Sequence, residues 1–284
     1  MAKVLLPVLY FLLGLFALYA AAMAWLWLRQ ERLMFFPEPL PPEATLARDA
    51  DVRELSIQVD GANLSALHLR LPHPRGLVFF LHGNAGNLAS WFVAAERYRA
   101  ANYDLFMLDY RGYGKSTGRI ESEAQLRADV RAAWDQIAPA YKGKPVVVYG
   151  RSLGTALAAG LSAELAQSGE PPAMTVLVSP YRSMAALQAH HYPFIPQALL
   201  RYPLRTEDAV GQVRGPLVLF HGLLDQVIPH QHSDALLDAA RKGGAQARAK
   251  SSGRDSNLIA DSFCRRCAVM LDIDLASTIL PRKK

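Results

Sequence analysis

Residues 146–154 read VVVYGRSLG, and few folds accommodate that order of residues. Three valines and a tyrosine run directly into Gly150-Arg151-Ser152-Leu153-Gly154, and the small-residue stretch TALAAG that follows suits the start of a helix. Strand, G-x-S-x-G, helix is the order of a nucleophile elbow, a sharp turn that lifts a serine hydroxyl clear of the sheet edge. Residues two before and two after the serine must be small, because a side chain there would collide with the turn. The backbone N–H of Leu153 and the helix N-terminus would then face any oxyanion formed at Ser152. A glycine-flanked turn without chemistry is spelled the same way, so the rest of the chain decides between the two.

That rest alternates strands with helices. Residues 54–59 and 64–71 each alternate apolar and polar around the turn residues DGAN, a hairpin pattern. Residues 77–81, 105–108, 146–149, 174–178 and 217–220 are continuous apolar runs, as in strands buried on both faces. A helix-like segment spans residues 88–101. Residues 121–138 place Leu126, Val130, Ala133, Trp134 and Ile137 on one side of an amphipathic helix. A hairpin followed by alternating strands and helices predicts an α/β fold, a mostly parallel sheet with helices on both faces.

At the N-terminus an uncharged run opens at Val4 and closes at Leu28. At 1.5 Å per residue, its roughly 25 residues reach about 37 Å, enough to cross a bilayer core of about 30 Å. Trp25 and Trp27 sit at the end where indoles favour the interface, and Arg29 and Arg32 follow. Small residues at 20–24 offer a competing signal-peptide cleavage site. A secretory apolar core, though, is about 7–15 residues long, and this one continues through Trp27. The reading is therefore a single-pass membrane anchor. Lys3 on one flank and Arg29, Glu31 and Arg32 on the other set no orientation. Residues 35–42, FFPEPLPP, form a stiff connector that would keep the next domain near the membrane. The organisation expected is an anchor over 1–32, a proline-rich linker over 33–48, and a catalytic-type domain over 49–284. A lid would cover about 180–210, and an atypical stretch would follow from about 249 to 284.

The net charge of +6 is spread along the chain, with no dense basic run before the terminal PRKK. It suits an anionic membrane surface and does not point to nucleic acid. Gly114-Lys115-Ser116 has the look of a phosphate loop, but the required earlier glycine is replaced by Asp109, so nucleotide binding is rejected. Two cysteines, Cys264 and Cys267, make neither a disulfide scaffold nor, without partners, a metal site.

Two further strand ends carry chemistry-bearing residues. His82-Gly83-Asn84 closes the first buried strand, where a backbone N–H near Asn84 would complete an oxyanion hole; His82 itself reads as structural. Asp225 follows the strand at 217–220 and comes after Ser152, as the acid does in a Ser–Asp–His chain order. Its work would be to orient an imidazole and stabilise the imidazolium.

The segments HGNAGN, DYRGYGKSTG, GRSLG and HGLLDQVIP, in this order and spacing, resemble the α/β-hydrolase superfamily. They are most similar to its membrane-anchored, serine-aminopeptidase-like subgroup, over about residues 35–240. The resemblance implies the α/β-hydrolase fold and cleavage of an ester, thioester or amide through an acyl-enzyme. It implies Ser152 as nucleophile, Asp225 as acid, the N–H groups of Asn84 and Leu153 as oxyanion hole, and no metal or organic cofactor. His232 matches a helix-start position of that family, not its base. The family's base is a histidine about 25–30 residues after the acid. That slot falls on Asp255 or Ser256 in GRDSNL, and no histidine follows His232. Losing the base of a triad can cost on the order of 10⁶ in kcat. A non-catalytic, membrane-associated binding protein of the same shape is thus the alternative. His190 and His191 lie in the lid, whose Tyr192, Phe194, Ile195, Leu199, Leu200 and Tyr202 suit a small, apolar acyl substrate.

Overall fold

A computed structural model describes residues 2–93 and 95–252. It opens with the helices α1 (Ala2–Leu28) and α2 (Gln30–Met34) and the two-residue strand β1 (Phe36–Pro37). The hairpin β2 (Val52–Val59) and β3 (Ala62–Leu69) follows, then β4 (Gly76–Leu81), the short β5 (Ala85–Gly86), α3 (Leu88–Trp91) and α4 (Ala95–Ala101). Next come β6 (Tyr103–Leu108), α5 (Glu123–Ile137), β7 (Val146–Arg151), α6 (Leu153–Gln167) and β8 (Met174–Val178). The chain then runs through α7 (Met184–His191), α8 (Thr206–Val210), β9 (Pro216–Gly222), α9 (Gln231–Lys242) and β10 (Gln246–Ser252).

Among the described residues, eight strands form one sheet in the order β10-β9-β8-β7-β4-β6-β3-β2. Only the β2–β3 and β3–β6 pairings are antiparallel; the other five are parallel. Each apolar run read as a doubly buried strand is one, and β4 shows why. Leu77, Phe79 and Leu81 enter the core on one face, while Val78 and Phe80 enter the core on the other. The first core is closed by α5, α6, α8 and α9, the second by α3 and α4. All five residues placed on the inner side of α5 are buried, and Ser122 caps its N-terminus by accepting from the Gln125 N–H. α6 is apolar nearly all round because it runs between α5, α8 and the sheet.

Two expectations change. The segment 88–101 is not one helix: α3 ends at Trp91, and α4 restarts at Ala95. β10 was not expected, because QARAKSS has no apolar run; among the described residues it is an edge strand, paired on one side only, to β9. The proline-rich connector is extended, and it is stitched to the body. β1 pairs in parallel with β5, the Leu40 N–H donates to the Gly114 carbonyl at 2.7 Å, and the Gly114 N–H donates back to Glu38 at 3.2 Å. Lys115 ion-pairs with Glu54, and the Ser116 hydroxyl donates to the Asp109 carbonyl at 2.7 Å, so the GKS triplet is spent on holding this loop.

Candidate active site

Ser152 occupies the junction of β7 and α6 with φ +48° and ψ −117°, a backbone region costing about 1–3 kcal/mol for a non-glycine residue. Neighbouring bonds hold it there. Its N–H donates to the Val178 carbonyl at 2.9 Å, while its carbonyl accepts from the Thr155 N–H at 2.9 Å and the Thr155 hydroxyl at 2.6 Å. The two flanking glycines are required by space. A Cβ on Gly150 would lie 2.3 Å from the Gly154 carbonyl oxygen, and one on Gly154 would lie 2.1 Å from that of Leu81. The start of α6 is therefore pressed onto the end of β4.

That contact brings the His82-Gly83-Asn84 loop beside the serine: a Cβ on Gly83 would come within 3.7 Å of the Ser152 Cβ. The loop is fixed from several directions. His82 is fully buried, its Nδ1–H donating to the Gly83 carbonyl at 2.7 Å and its Nε2 facing Asp109 at 3.4 Å. The Asn84 carbonyl accepts from the Tyr113 hydroxyl at 2.6 Å and from the Phe36 N–H at 3.3 Å, and the Asn84 side-chain amide donates to the Met34 carbonyl. Burial pushes the Tyr113 phenol above its usual range, which keeps it a donor. Leu153 is the first residue of α6, where a backbone N–H has no partner within the helix. Sequence reasoning gave Tyr113 and Met34 no role. The first lies within the quoted DYRGYGKSTG segment; the second carried no signal at all.

Asp225 lies two strands over from Ser152 on the same sheet edge, just past the end of β9, an offset of about 10 Å between strands. Its Oδ1 accepts from the N–H groups of Val227 and Ile228 at 3.0 and 2.9 Å, and its Oδ2 stands 3.7 Å from His221 Nε2. The histidines that approach this loop are each engaged elsewhere. The His221 Nε2–H donates to the Ile228 carbonyl at 2.7 Å, its Nδ1 is 2.6 Å from the Ser233 hydroxyl, and burial holds the imidazole below the usual histidine range. His232, in the first turn of α9, accepts from the Arg182 N–H at 3.3 Å, and burial lowers its pKa too. The His191 Nε2–H donates to the Val227 carbonyl at 2.9 Å, tying the end of α7 to the acid loop. β10 ends at Ser252 beside Gly222. Asp255 and Ser256, the positions matching the family's base, lie outside the described residues, as do Cys264 and Cys267.

Strand order, the strained serine at the β7–α6 turn and the backbone loop beside it define one class of protein: the chain belongs to the α/β-hydrolase superfamily. Residues 72–206 match the family described as serine aminopeptidase, S33. An uncharacterised protein of Mycobacterium tuberculosis (strain ATCC 25618 / H37Rv) is 33% identical over 226 residues, 76% of either chain. The alpha/beta hydrolase domain-containing protein 17B of Homo sapiens is 28% identical over 188 residues, 64% of this chain and 62% of that one. Among solved structures, the Pyrococcus furiosus esterase Pf2001 superposes with a TM-score of 0.64 at 17% identity, over 84% of this chain and 97% of the esterase. At that identity the likeness is one of fold.

Proposed function

We propose that this chain is a membrane-anchored serine hydrolase that cleaves an ester, thioester or amide of an apolar acyl group. Ser152 attacks the acyl carbonyl, and the N–H groups of Asn84 and Leu153 take the developing oxyanion. Asp225 orients the base that receives the serine proton. The observation that carries this reading is the Ser152 backbone at φ +48°, enforced by glycines that would otherwise strike carbonyl oxygens. Strain of this size, held by surrounding hydrogen bonds, is typical of a nucleophile turn.

A second reading has its own support. The sequence holds no histidine after His232, and His191, His221 and His232 are all occupied as described. The same site would then bind an acyl ligand at the membrane without turning it over. A fluorophosphonate probe separates the two. Under the first reading the full chain labels, and Ser152→Ala abolishes labelling. Slow labelling that rises by an order of magnitude or more in Asp255→His or Ser256→His would place the deficit at the base. No labelling in any of these variants favours the binding protein.

A further inference from the structure

The lid is bonded to the apolar helix. The Tyr19 hydroxyl donates to the Phe194 carbonyl at 3.1 Å, Gln30 Nε2 donates to the Leu199 carbonyl at 3.0 Å, and the Arg201 N–H donates to Gln30 Oε1 at 2.6 Å. Arg201 also pairs with Glu31 at 2.5 Å and lies 5.2 Å above the Trp27 ring. The apolar window of this helix runs Leu5–Leu28. Any stretch of about 20 residues within it that crosses a bilayer contains Tyr19, about 8 to 14 Å inside the Trp27 end. Phe194 meets the helix at that level.

The lid tip has the composition for such a depth, and most of its backbone groups are paired within the protein. Phe194 is 66% exposed and Tyr192 54%, although both are large and apolar. A backbone group in hydrocarbon must find its partner within the protein. The carbonyls of Tyr192 and Ile195 are both taken by Gln188 Nε2, at 2.7 and 2.8 Å, and that of Phe194 by Tyr19; Pro193 has no N–H to satisfy. The His191–Val227 hydrogen bond makes the acid loop continuous with this tip, and there Leu224 is 63% and Val227 70% exposed. Arg29 and Arg32 are exposed just beyond the helix end, where lipid phosphates would lie.

We propose that the lid tip, residues 192–195, and the acid loop, residues 223–227, form a bilayer-contact surface seated in the same membrane that α1 spans. The lid is held at that depth by its bonds to α1 and α2. This rests on the reading of α1 as a membrane span and is independent of any chemistry at Ser152.

The test uses the full chain in phosphatidylcholine nanodiscs, with Cys264 and Cys267 replaced by serine. A single cysteine carrying an environment-sensitive fluorophore is placed by Phe194→Cys, Leu224→Cys, Phe11→Cys or Glu170→Cys. All four positions are exposed, so none of these changes removes a core contact. Lipids spin-labelled in the acyl chain should quench the probe at 194, which meets the helix at the level of Tyr19. Lipids spin-labelled near the headgroup should quench the probe at 224. Each effect should be roughly two-fold or more, and both lipids should leave the probe at 170 unchanged. Lipids spin-labelled deep in the chain should quench the probe at 11. Quenching at 11 without quenching at both 194 and 224 overturns the surface and leaves the anchor standing. No quenching at 11 overturns both.

Discussion

Histidines that look alike in sequence differ once their partners are known, and His68 makes the clearest case. It is buried on β3, with Nε2 donating to the Tyr141 hydroxyl at 2.7 Å, which in turn donates to Asp104. Burial, reinforced by Arg70 and Arg53, lowers its pKa from 6.5 to about 4. Between those values the unfolded chain binds a proton that the folded chain does not. Stability is therefore full above about pH 6.5 and falls by about 1.4 kcal/mol per pH unit toward pH 4, roughly 3 kcal/mol in all. His221 and His232, whose pKa values are also lowered, add to the loss in the same direction. Thermal unfolding in detergent across this range should show the decline, and His68→Gln, which keeps a donor for Tyr141, should flatten it. A slope unchanged in that variant would place the proton uptake elsewhere. None of this was legible in HLRL: a lone histidine shows its burial only through neighbours distant in sequence. Ser152, Asn84, Leu153 and Asp225 were readable as candidates because each stands in a local motif at a strand end. Tyr113 and Met34 act on Asn84 only through tertiary contact.

Elements meet at this site by close approach of backbone, and the seam between α6 and β4 sets the tolerance. A methyl group on Gly154 would lie 2.1 Å from the Leu81 carbonyl oxygen and 2.8 Å from that of His82. Both obstacles are main chain, so no rotamer change relieves them. Gly154→Ala should cost about 3 kcal/mol, lowering Tm by roughly 6–10 °C in a body of this size, and should reduce fluorophosphonate labelling by moving Leu153 from the serine. Gly14→Ala, where an added methyl meets nothing within 4 Å, should leave both unchanged. Equal Tm values for the two variants would show that the seam is loose. The strands that border this seam were legible because burial on both faces makes them continuous apolar runs. β10 was not, since Arg248 and Lys250 lie on an edge strand. The stretch expected to be atypical from about residue 249 begins inside that strand, and β10 pairs with β9 through Ser252 despite it.

At the scale of the molecule, the outstanding choice is between an uncleaved anchor and a removed leader. α1 is long and apolar enough to cross a membrane, and none of that window is buried against the rest of the chain. Composition alone allows a leader cut near residues 20–24. Such a cut would remove Tyr19 and its bond to Phe194, and leave Trp27, Gln30, Glu31 and Phe35 to tie this end of the chain to the lid. Those contacts, along with β1 pairing to β5, run continuously from the helix end into the loop that holds Asn84. A helix carrying about 20 apolar residues gains far more from the bilayer than alkaline wash can offset, whereas a protein held by charge is released. Carbonate extraction of membranes from expressing cells should therefore leave the protein in the pellet. The mass of the extracted chain should include residues 1–28, apart from processing of the initiator methionine. A soluble protein beginning near residue 21–25 would identify a leader, and the lid would then lose its fixed depth along with its anchor.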